Sequence, residues 1–121
     1  MPVPALPLPT RRRPRAAPVA PSLAALLLVA ASAAFAAAVH QVAQRNRDFS
    51  QGDIAIAAGD SIAFSNNDEF LHQIYVDSSA MSFDSAEQYP GETITVTFAR
   101  PGTFQVRCHI HPKMLLTVQV K

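Results

Sequence analysis

The sequence from residue 53 onward predicts an all-β fold, a small antiparallel Greek-key β-sandwich. Apolar residues recur there at every second position in several short runs, the pattern of strands with one buried face. Turn-forming stretches such as "AAGD", "SNNDEF" and "RPG" separate the runs. The same part of the sequence has no amphipathic helical period and no internal repeat. About six short strands in two packed sheets account for this pattern.

The predicted strands follow in order along the chain. A first strand is predicted near 48–50, Ile54 and Ile56 lie on the next, and Ile62 and Phe64 lie on the third. A long connection with a Pro-Gly turn occupies 78–92. The later strands present four alternating sets to the core, namely His72, Ile74 and Val76; Ile94, Val96 and Phe98; Phe104, Val106 and Cys108; and Leu116, Val118 and Val120.

Residues 1–38 have the pattern of a secretory signal peptide. A cluster of arginines without acidic residues precedes an apolar run rich in Leu and Ala, and Ala36-Ala37-Ala38 offers a small-residue cleavage site. The run also approaches the ~20 residues that span a membrane, so an uncleaved anchor is the alternative. Both alternatives place the rest of the chain outside the cytoplasm, in the periplasm for example, either released or membrane-tethered. A polar linker over 39–47 is predicted to lead into a domain over 48–121.

The charge of the chain depends on its N-terminal segment. All 121 residues together carry a formal net charge of +1, with ten basic and nine acidic residues. Residues 1–38 contain four of the basic and none of the acidic residues, so the remainder has a net charge of −3. An acidic domain gives no support to a nucleic-acid partner.

The stretch "RCHIHPKM" at 107–114 concentrates metal-binding side chains. It holds the only cysteine of the chain, two of the four histidines and one of the three methionines. A small exported domain commonly needs a disulfide or a metal to stabilise it, and a single cysteine cannot form an internal disulfide. The composition therefore favours a metal.

The four donors lie on compatible parts of the predicted strands. Alternation places His72 and Cys108 on the core-facing sides of two different strands, each near a strand end. Pro112 disfavours helical geometry at His111, so the segment around it is predicted to be a loop. Such a loop can fold His111 and Met114 back towards the Cys108 sulfur.

Two imidazoles, a thiolate and a thioether are the donor set of a blue copper site. We therefore predict one copper ion, alternating between Cu(I) and Cu(II), with His72, Cys108, His111 and Met114 as ligands. Two other interpretations stay open. Cys108 and Met114 can be ordinary core side chains. Alternatively, the cysteine and the two histidines can hold a structural zinc ion, although a thioether is a poor zinc ligand.

These segments resemble the cupredoxin family, in particular its plastocyanin and amicyanin branch. "CHIHPKM" fits the amicyanin-type ligand loop C-x-x-H-x-x-M at Cys108, His111 and Met114, and "FSNNDEFLH" resembles the approach to the first histidine, His72. "PGET", "VTF" and "PGTFQVRC" resemble the last strands of that branch in order. The resemblance covers about 48–121. It implies a cupredoxin-like sandwich and a type 1 copper site that transfers electrons.

Two positions depart from the family pattern. Gln73 stands where the family commonly has Asn, whose side chain braces the ligand loop, and we expect Asn66 to take over part of that role. Ile110 stands where the family usually has proline. Because Ile110 has a backbone N–H, we expect it to donate a hydrogen bond to the Cys108 thiolate.

The favoured function is that of an extracytoplasmic single-electron carrier, a monomer that shuttles electrons between larger redox proteins. The resemblance implies an amine dehydrogenase as donor and a c-type cytochrome as acceptor. The alternative is a copper-binding or delivery protein that holds Cu(I) outside the cytoplasm. The sequence predicts no enzyme, because it offers no paired carboxylates, no nucleophile–base pair and no open metal position. His109 is predicted to be an exposed neighbour of the site.

Overall fold

The computed structural model describes residues 1–20, 31 and 35–121. The chain divides into two compact units, Met1–Ala33 and Ala34–Lys121. Residues 1–20 form no helix or strand and are exposed. The apolar run of the predicted signal segment falls largely on 21–30 and 32–34, which lie outside the described residues. Within the described part of the chain, no helix has the length and hydrophobicity needed to cross a membrane.

The second unit is a sandwich of two β-sheets. The first sheet has the strand order β2-β1-β4-β7, and the second has the order β3-β9-β8-β5-β6. The strands are β1 (Val39–Arg45), β2 (Asp48–Phe49), β3 (Asp53–Ile56), β4 (Ser61–Asn66), β5 (Ile74–Asp77), β6 (Ser82–Asp84), β7 (Thr93–Thr97), β8 (Gly102–Cys108) and β9 (Leu115–Val120). The predicted all-β sandwich is confirmed.

The residues predicted to face the core from the two-residue alternation do form it. Side chains from the inner faces of both sheets form one buried cluster, and every set of alternating positions contributes to it. His72, Ile74 and Val76 are 0%, 0% and 2% exposed, whereas Tyr75 between them is half-buried and Asp77 is exposed. Cys108 and Met114 belong to the same cluster. These two predicted ligands are therefore packed within the hydrophobic core, which restricts their movement.

The structure corrects the predicted linker over 39–47. Val39–Arg45 form β1, which pairs with β4 and buries Val42 and Gln44 completely. The inward positions of this strand include His40 and Gln44, so the apolar alternation that marks the other strands is missing. A strand whose inner face is partly polar looks like a linker in the sequence.

The prediction of an antiparallel sandwich is wrong for two of the strand pairs. β1 pairs with β4 in parallel, and β3 pairs with β9 in parallel, so both sheets are mixed. The connection over 78–92 also contains a short edge strand, β6. Its predicted Pro-Gly turn is confirmed. Glu92 N–H donates to Tyr89 O at 3.1 Å, and Gly91 has a φ of 87°, as the third position of a type II turn requires.

The predicted ligands gather at one end of the sandwich, which we call the ligand pole. β8 ends there at Cys108, and β5 begins there at Ile74. β4 ends there at Asn66, whose side-chain Nδ2 donates to Phe70 O in the loop that leads to His72. Both sheets thus contribute a loop or strand end to the same pole.

The opposite pole is fastened by the carboxylate of Asp60. Its Oδ1 accepts a hydrogen bond from Ala38 N–H at 2.9 Å, and its Oδ2 accepts from His40 Nε2 at 2.9 Å and from Ala57 N–H at 3.0 Å. The hydrogen bond from His40, followed by those from the two backbone N–H groups, lowers the pKa of Asp60 from 3.8 to about 2. The side chain therefore holds the start of β1 against the turn before β4.

We expect this carboxylate to make the fold more sensitive to acid. Because the pKa is lower in the folded than in the unfolded chain, its contribution to stability is complete above pH 3.8 and is lost as the pH falls through about 2. Denaturant unfolding of Asp60→Asn between these pH values should show a shallower loss of stability than the wild type. Asp77→Asn, which removes an exposed carboxylate from β5, is the matched control. An unchanged slope in Asp60→Asn would contradict the expectation.

Candidate metal centre

His72 is held between the two sheets by backbone pairing. It precedes β5 and forms an isolated antiparallel bridge with Gln88, in which His72 N–H donates to Gln88 O at 3.1 Å and Gln88 N–H donates to His72 O at 2.7 Å. The imidazole is completely buried. The two hydrogen bonds to Gln88 therefore hold the His72 backbone, and the surrounding side chains restrict the movement of its ring.

The other three predicted ligands lie on the β8–β9 hairpin. Cys108 ends β8, and a β-turn closes the loop after it, because Met114 N–H donates to His111 O at 3.0 Å. Pro112 occupies the second position of this turn, where its fixed φ is favourable. The predicted loop is thus confirmed. His111 is half-buried and Met114 is 0% exposed.

Three of the predicted ligands bring their donor atoms together. The Cys108 Sγ lies 3.7 Å from His72 Nδ1 and 3.8 Å from His111 Nδ1, and the two Nδ1 atoms are 3.2 Å apart. Among the described residues these three side chains form a cluster able to hold a metal ion. Met114, the fourth predicted ligand, is buried in the same hydrophobic core cluster as Cys108.

The spacing of the donor atoms fits one small metal ion. A point equidistant from the three atoms lies about 2.1 Å from each, close to ordinary metal–nitrogen and metal–sulfur distances. One thiolate with two imidazoles in a nearly equilateral triangle is the trigonal set of a blue copper site. Copper, rather than a harder cation with oxygen ligands, fits this donor chemistry.

The hydrogen bond to the thiolate comes from an unexpected residue. Gln73 N–H donates to Cys108 Sγ at 3.5 Å, and His109 N–H donates to Gln73 O at 2.9 Å. Ile110, which we expected to be the donor, makes no such bond among the described residues. The bond expected from Asn66 to the ligand loop is replaced by bonds to the loop before His72 and to its bridge partner, because Asn66 Nδ2 donates to Phe70 O and to Gln88 O, both at 2.9 Å.

Residues 36–121 match the family of copper binding proteins described as the plastocyanin/azurin family. The chain belongs to the plastocyanin/azurin family. Plastocyanin of Ulva arasakii is 36% identical over 84 residues, which span 59% of this chain and 86% of that protein. The expected family is confirmed, and so is the expected cofactor, one copper ion.

Solved structures agree with the cupredoxin-like fold. Amicyanin from Paracoccus versutus matches with a TM-score of 0.64 at 19% identity, over 69% of this chain and 81% of its own length. A copper-containing nitrite reductase from Thermus scotoductus SA-01 matches with a TM-score of 0.62 at 25% identity, over 68% of this chain. That match covers 22% of the reductase, so it concerns one portion of a much longer chain.

In this cupredoxin, a carboxylate contacts the ring nitrogen of His72 that faces away from the donor cluster. Asp68 Oδ2 is 3.0 Å from His72 Nε2, on the side of the ring away from Cys108, and it also accepts Arg47 N–H at 2.8 Å. Burial by itself would raise the pKa of Asp68, but the hydrogen bonds from Arg47, His72 and Glu69 outweigh it and lower the pKa. The carboxylate is therefore ionised at neutral pH.

Buried amides continue the hydrogen bonding beneath His72. Gln88 Nε2 donates to Phe64 O and Glu92 O, both at 2.9 Å, and Gln88 Oε1 accepts from Gln44 Nε2 at 2.7 Å. Sequence reasoning missed Asp68, Gln88 and Gln44 as parts of the site. Only the turn chemistry of "SNNDEF" pointed to that loop, and it gave no sign of a contact with His72.

The half-buried His111 is the predicted ligand nearest to solvent. The ring of Phe70 meets it edge-on, with centroids 6.2 Å apart, and the guanidinium of Arg47 lies 3.8 Å above the Phe70 ring. Burial is the largest cause of a lowered pKa at His111, and the nearby charge of Arg47 acts in the same direction. A lowered pKa keeps this imidazole neutral, which is the form that binds metal.

His109 points away from the centre, as predicted. Its side chain is 44% exposed, stacks on Tyr75 with ring centroids 3.8 Å apart, and contacts Asp84 through Nε2 at 3.1 Å. It follows Cys108 directly in the chain but lies outside the donor cluster.

Proposed function

We propose that this protein is an extracytoplasmic single-electron carrier, with one copper ion held by His72, Cys108, His111 and Met114. The ion supplies a one-electron couple between Cu(II) and Cu(I). His72, Cys108 and His111 would hold the ion with two imidazoles and a thiolate, and the Met114 thioether would be the weak fourth ligand. The protein's own contribution is to hold these side chains still and away from water.

The main support for this proposal is the triangle formed by Cys108 Sγ and the Nδ1 atoms of His72 and His111, with sides of 3.2, 3.7 and 3.8 Å. These distances allow the three atoms to bind one metal ion together. Core packing and the backbone pairing of His72 hold the side chains in place. A site organised in advance needs little rearrangement when its charge changes, which favours rapid electron transfer. Four protein ligands also leave no position for a substrate, so a carrier is favoured over an enzyme.

His111 is the proposed point of electron exchange. It is half-buried, whereas His72 and Cys108 are 0% and 2% exposed, so its imidazole offers the shortest way from the donor cluster to the surface. Small, transient interfaces are sufficient for redox encounters between proteins. Ile110, within the same loop and 42% exposed, adds apolar surface to such a contact.

The location and the partners belong to the same proposal. The arginine cluster, apolar run and small-residue site of 1–38 support export from the cytoplasm, with release or membrane tethering as the two outcomes. The resemblance to amicyanin supports an amine dehydrogenase as electron donor and a c-type cytochrome as acceptor. The carrier is proposed to act as a monomer.

Visible absorption and EPR spectra of the purified protein after addition of Cu(II) test the proposal. An intense blue band with small copper hyperfine splitting is expected. A pale spectrum together with tight, exchangeable binding of Cu(I) would contradict it, and would favour a copper-delivery protein instead.

A further inference from the structure

The first predicted copper ligand has a buried carboxylate on its far side. The side chain of His72 is 0% exposed and that of Asp68 is 5% exposed, with Nε2 and Oδ2 3.0 Å apart. We propose that Asp68 is a positioning residue that fixes the tautomer of His72 and lowers the reduction potential of the copper site through its negative charge. The proposal rests on the proposed ligand role of His72.

The contact determines which ring nitrogen of His72 carries the proton. Both oxygens of the Asp68 side chain accept hydrogen bonds from backbone N–H groups, Oδ2 from Arg47 and Oδ1 from Glu69, so the carboxylate acts as an acceptor and His72 Nε2 is the donor. A neutral imidazole with its proton on Nε2 has a free lone pair on Nδ1. Nδ1 is the atom that faces Cys108 Sγ at 3.7 Å and His111 Nδ1 at 3.2 Å. Asp68 therefore presents the lone pair of His72 to the place where the metal binds.

The hairpin between β1 and β2 holds this carboxylate in position. Arg47 N–H donates to the same Oδ2 atom at 2.8 Å, and Glu69 N–H donates to Oδ1 at 3.1 Å. Arg47 and its neighbour Asn46 have φ values of 56° and 54°, a conformation that residues other than glycine seldom adopt. A turn with an arginine in this conformation persists where the surrounding contacts stabilise it, and the hydrogen bond to Asp68 is such a contact.

The charge of Asp68 acts on the copper couple in a definite direction. Cu(II) carries one positive charge more than Cu(I), so a nearby negative charge stabilises the oxidised state and lowers the reduction potential. Burial strengthens the effect, because charges interact more strongly in a low-dielectric interior than in water. The hydrogen bond to Nε2 also makes the imidazole a stronger donor, as second-shell carboxylates do for other metal-bound histidines.

A second histidine–carboxylate pair in the protein provides a matched control. His109 Nε2 contacts Asp84 Oδ2 at 3.1 Å, nearly the distance in the Asp68–His72 pair. His109 follows Cys108 in the chain but is outside the donor cluster, and Asp84 is 51% exposed. Neutralising Asp84 removes the same charge from the same neighbourhood without touching a predicted ligand.

Redox titration of Asp68→Asn and Asp84→Asn tests the charge effect. An asparagine can keep an oxygen as acceptor for Nε2–H while it loses the charge, so the site should stay intact and its potential should rise. The rise is expected to be clearly larger than in Asp84→Asn, with the blue band retained in both. Equal potentials for Asp68→Asn and the wild type, or equal shifts in the two variants, would overturn the proposal.

Copper affinities provide an independent measure of the same effect. Loss of a second-shell partner typically weakens metal binding by about 10- to 100-fold. We expect Asp68→Ala to lose Cu(II) affinity in this range and to lose less Cu(I) affinity. Each tenfold difference between the two losses corresponds to a rise of about 59 mV in the potential. Equal losses for both oxidation states would leave only a structural role for Asp68.

The tautomer can be observed without copper. Nitrogen-15 NMR of the metal-free protein should show the proton of His72 on Nε2 in the wild type and a mixture of tautomers in Asp68→Ala. A proton on Nδ1 in the wild type would overturn the positioning role. If the wild type gave no blue copper spectrum, the proposed function would fail, and this measurement would still decide whether Asp68 positions His72.

Discussion

Cys108→Ser is expected to abolish the intense visible absorption of the copper-loaded protein. The absorption of a blue site arises from charge transfer out of the thiolate sulfur, and Cys108 is the only cysteine in the chain. His72 and His111 remain, so Cu(II) should still bind, with a pale spectrum and a large hyperfine splitting in EPR. Serine is close to cysteine in size, which limits the disturbance of a core position that is 2% exposed.

The matched control for this variant is His109→Ala. His109 adjoins Cys108 in the chain, yet its exposed ring stacks on Tyr75 and lies outside the donor cluster. The control should therefore keep both the blue band and the small hyperfine splitting. A blue band that survived in Cys108→Ser would exclude the thiolate as a copper ligand.

Removal of copper is expected to lower the melting temperature by roughly 10 to 20 °C relative to the loaded protein. Free copper at a hundred times its dissociation constant stabilises the folded state by about 2.7 kcal/mol, provided that it does not bind the unfolded chain. In a domain of 60 to 100 residues, each kcal/mol shifts the melting temperature by about 4 to 8 °C. Bound to the predicted ligands, the metal would join the loop before β5 to the β8–β9 hairpin, a site that exists only in the folded chain.

Calorimetry of the loaded and metal-free proteins measures this difference directly. Cys108→Ser should gain clearly less from copper than the wild type, because it has lost the thiolate. Asp84→Asn, with all four predicted ligands intact, should gain as much as the wild type. Equal melting temperatures with and without copper in the wild type would contradict the expectation.

The strands that could be predicted are those with a continuous apolar face. Ile94, Val96 and Phe98, for example, alternate with threonines, and this local pattern is sufficient to identify a half-buried strand. β1 could not be predicted, because its inward positions include His40 and Gln44, whose side chains hydrogen-bond to partners far along the chain, Asp60 and Gln88. The parallel pairing of strands could not be predicted, because the periodicity of one strand contains no information about the direction of its neighbour.

The cluster of His72, Cys108 and His111 could be predicted because metal-binding side chains are rare in this sequence and most of the candidates are close together in it. Cys108, His111 and Met114 lie within seven residues, and only one ligand had to be found elsewhere. The groups that support them could not be predicted. The contact between Asp68 and His72 depends on a loop conformation, and the hydrogen bond from Arg47 depends on a hairpin that had been predicted to be a linker.

The parallel pairing of β1 with β4 decides how the protein can be attached to a surface. Val39 lies opposite Ser61 and Gln44 lies opposite Asn66, so the chain enters at the opposite pole and runs towards the ligand pole. The five residue steps from Val39 to Gln44 advance by about 17 Å. An electrode linked through residue 39 would therefore leave the copper end facing the solution, open to dissolved redox partners. Linkage through Lys113, in the ligand loop, would turn the copper towards the electrode and close that face to proteins.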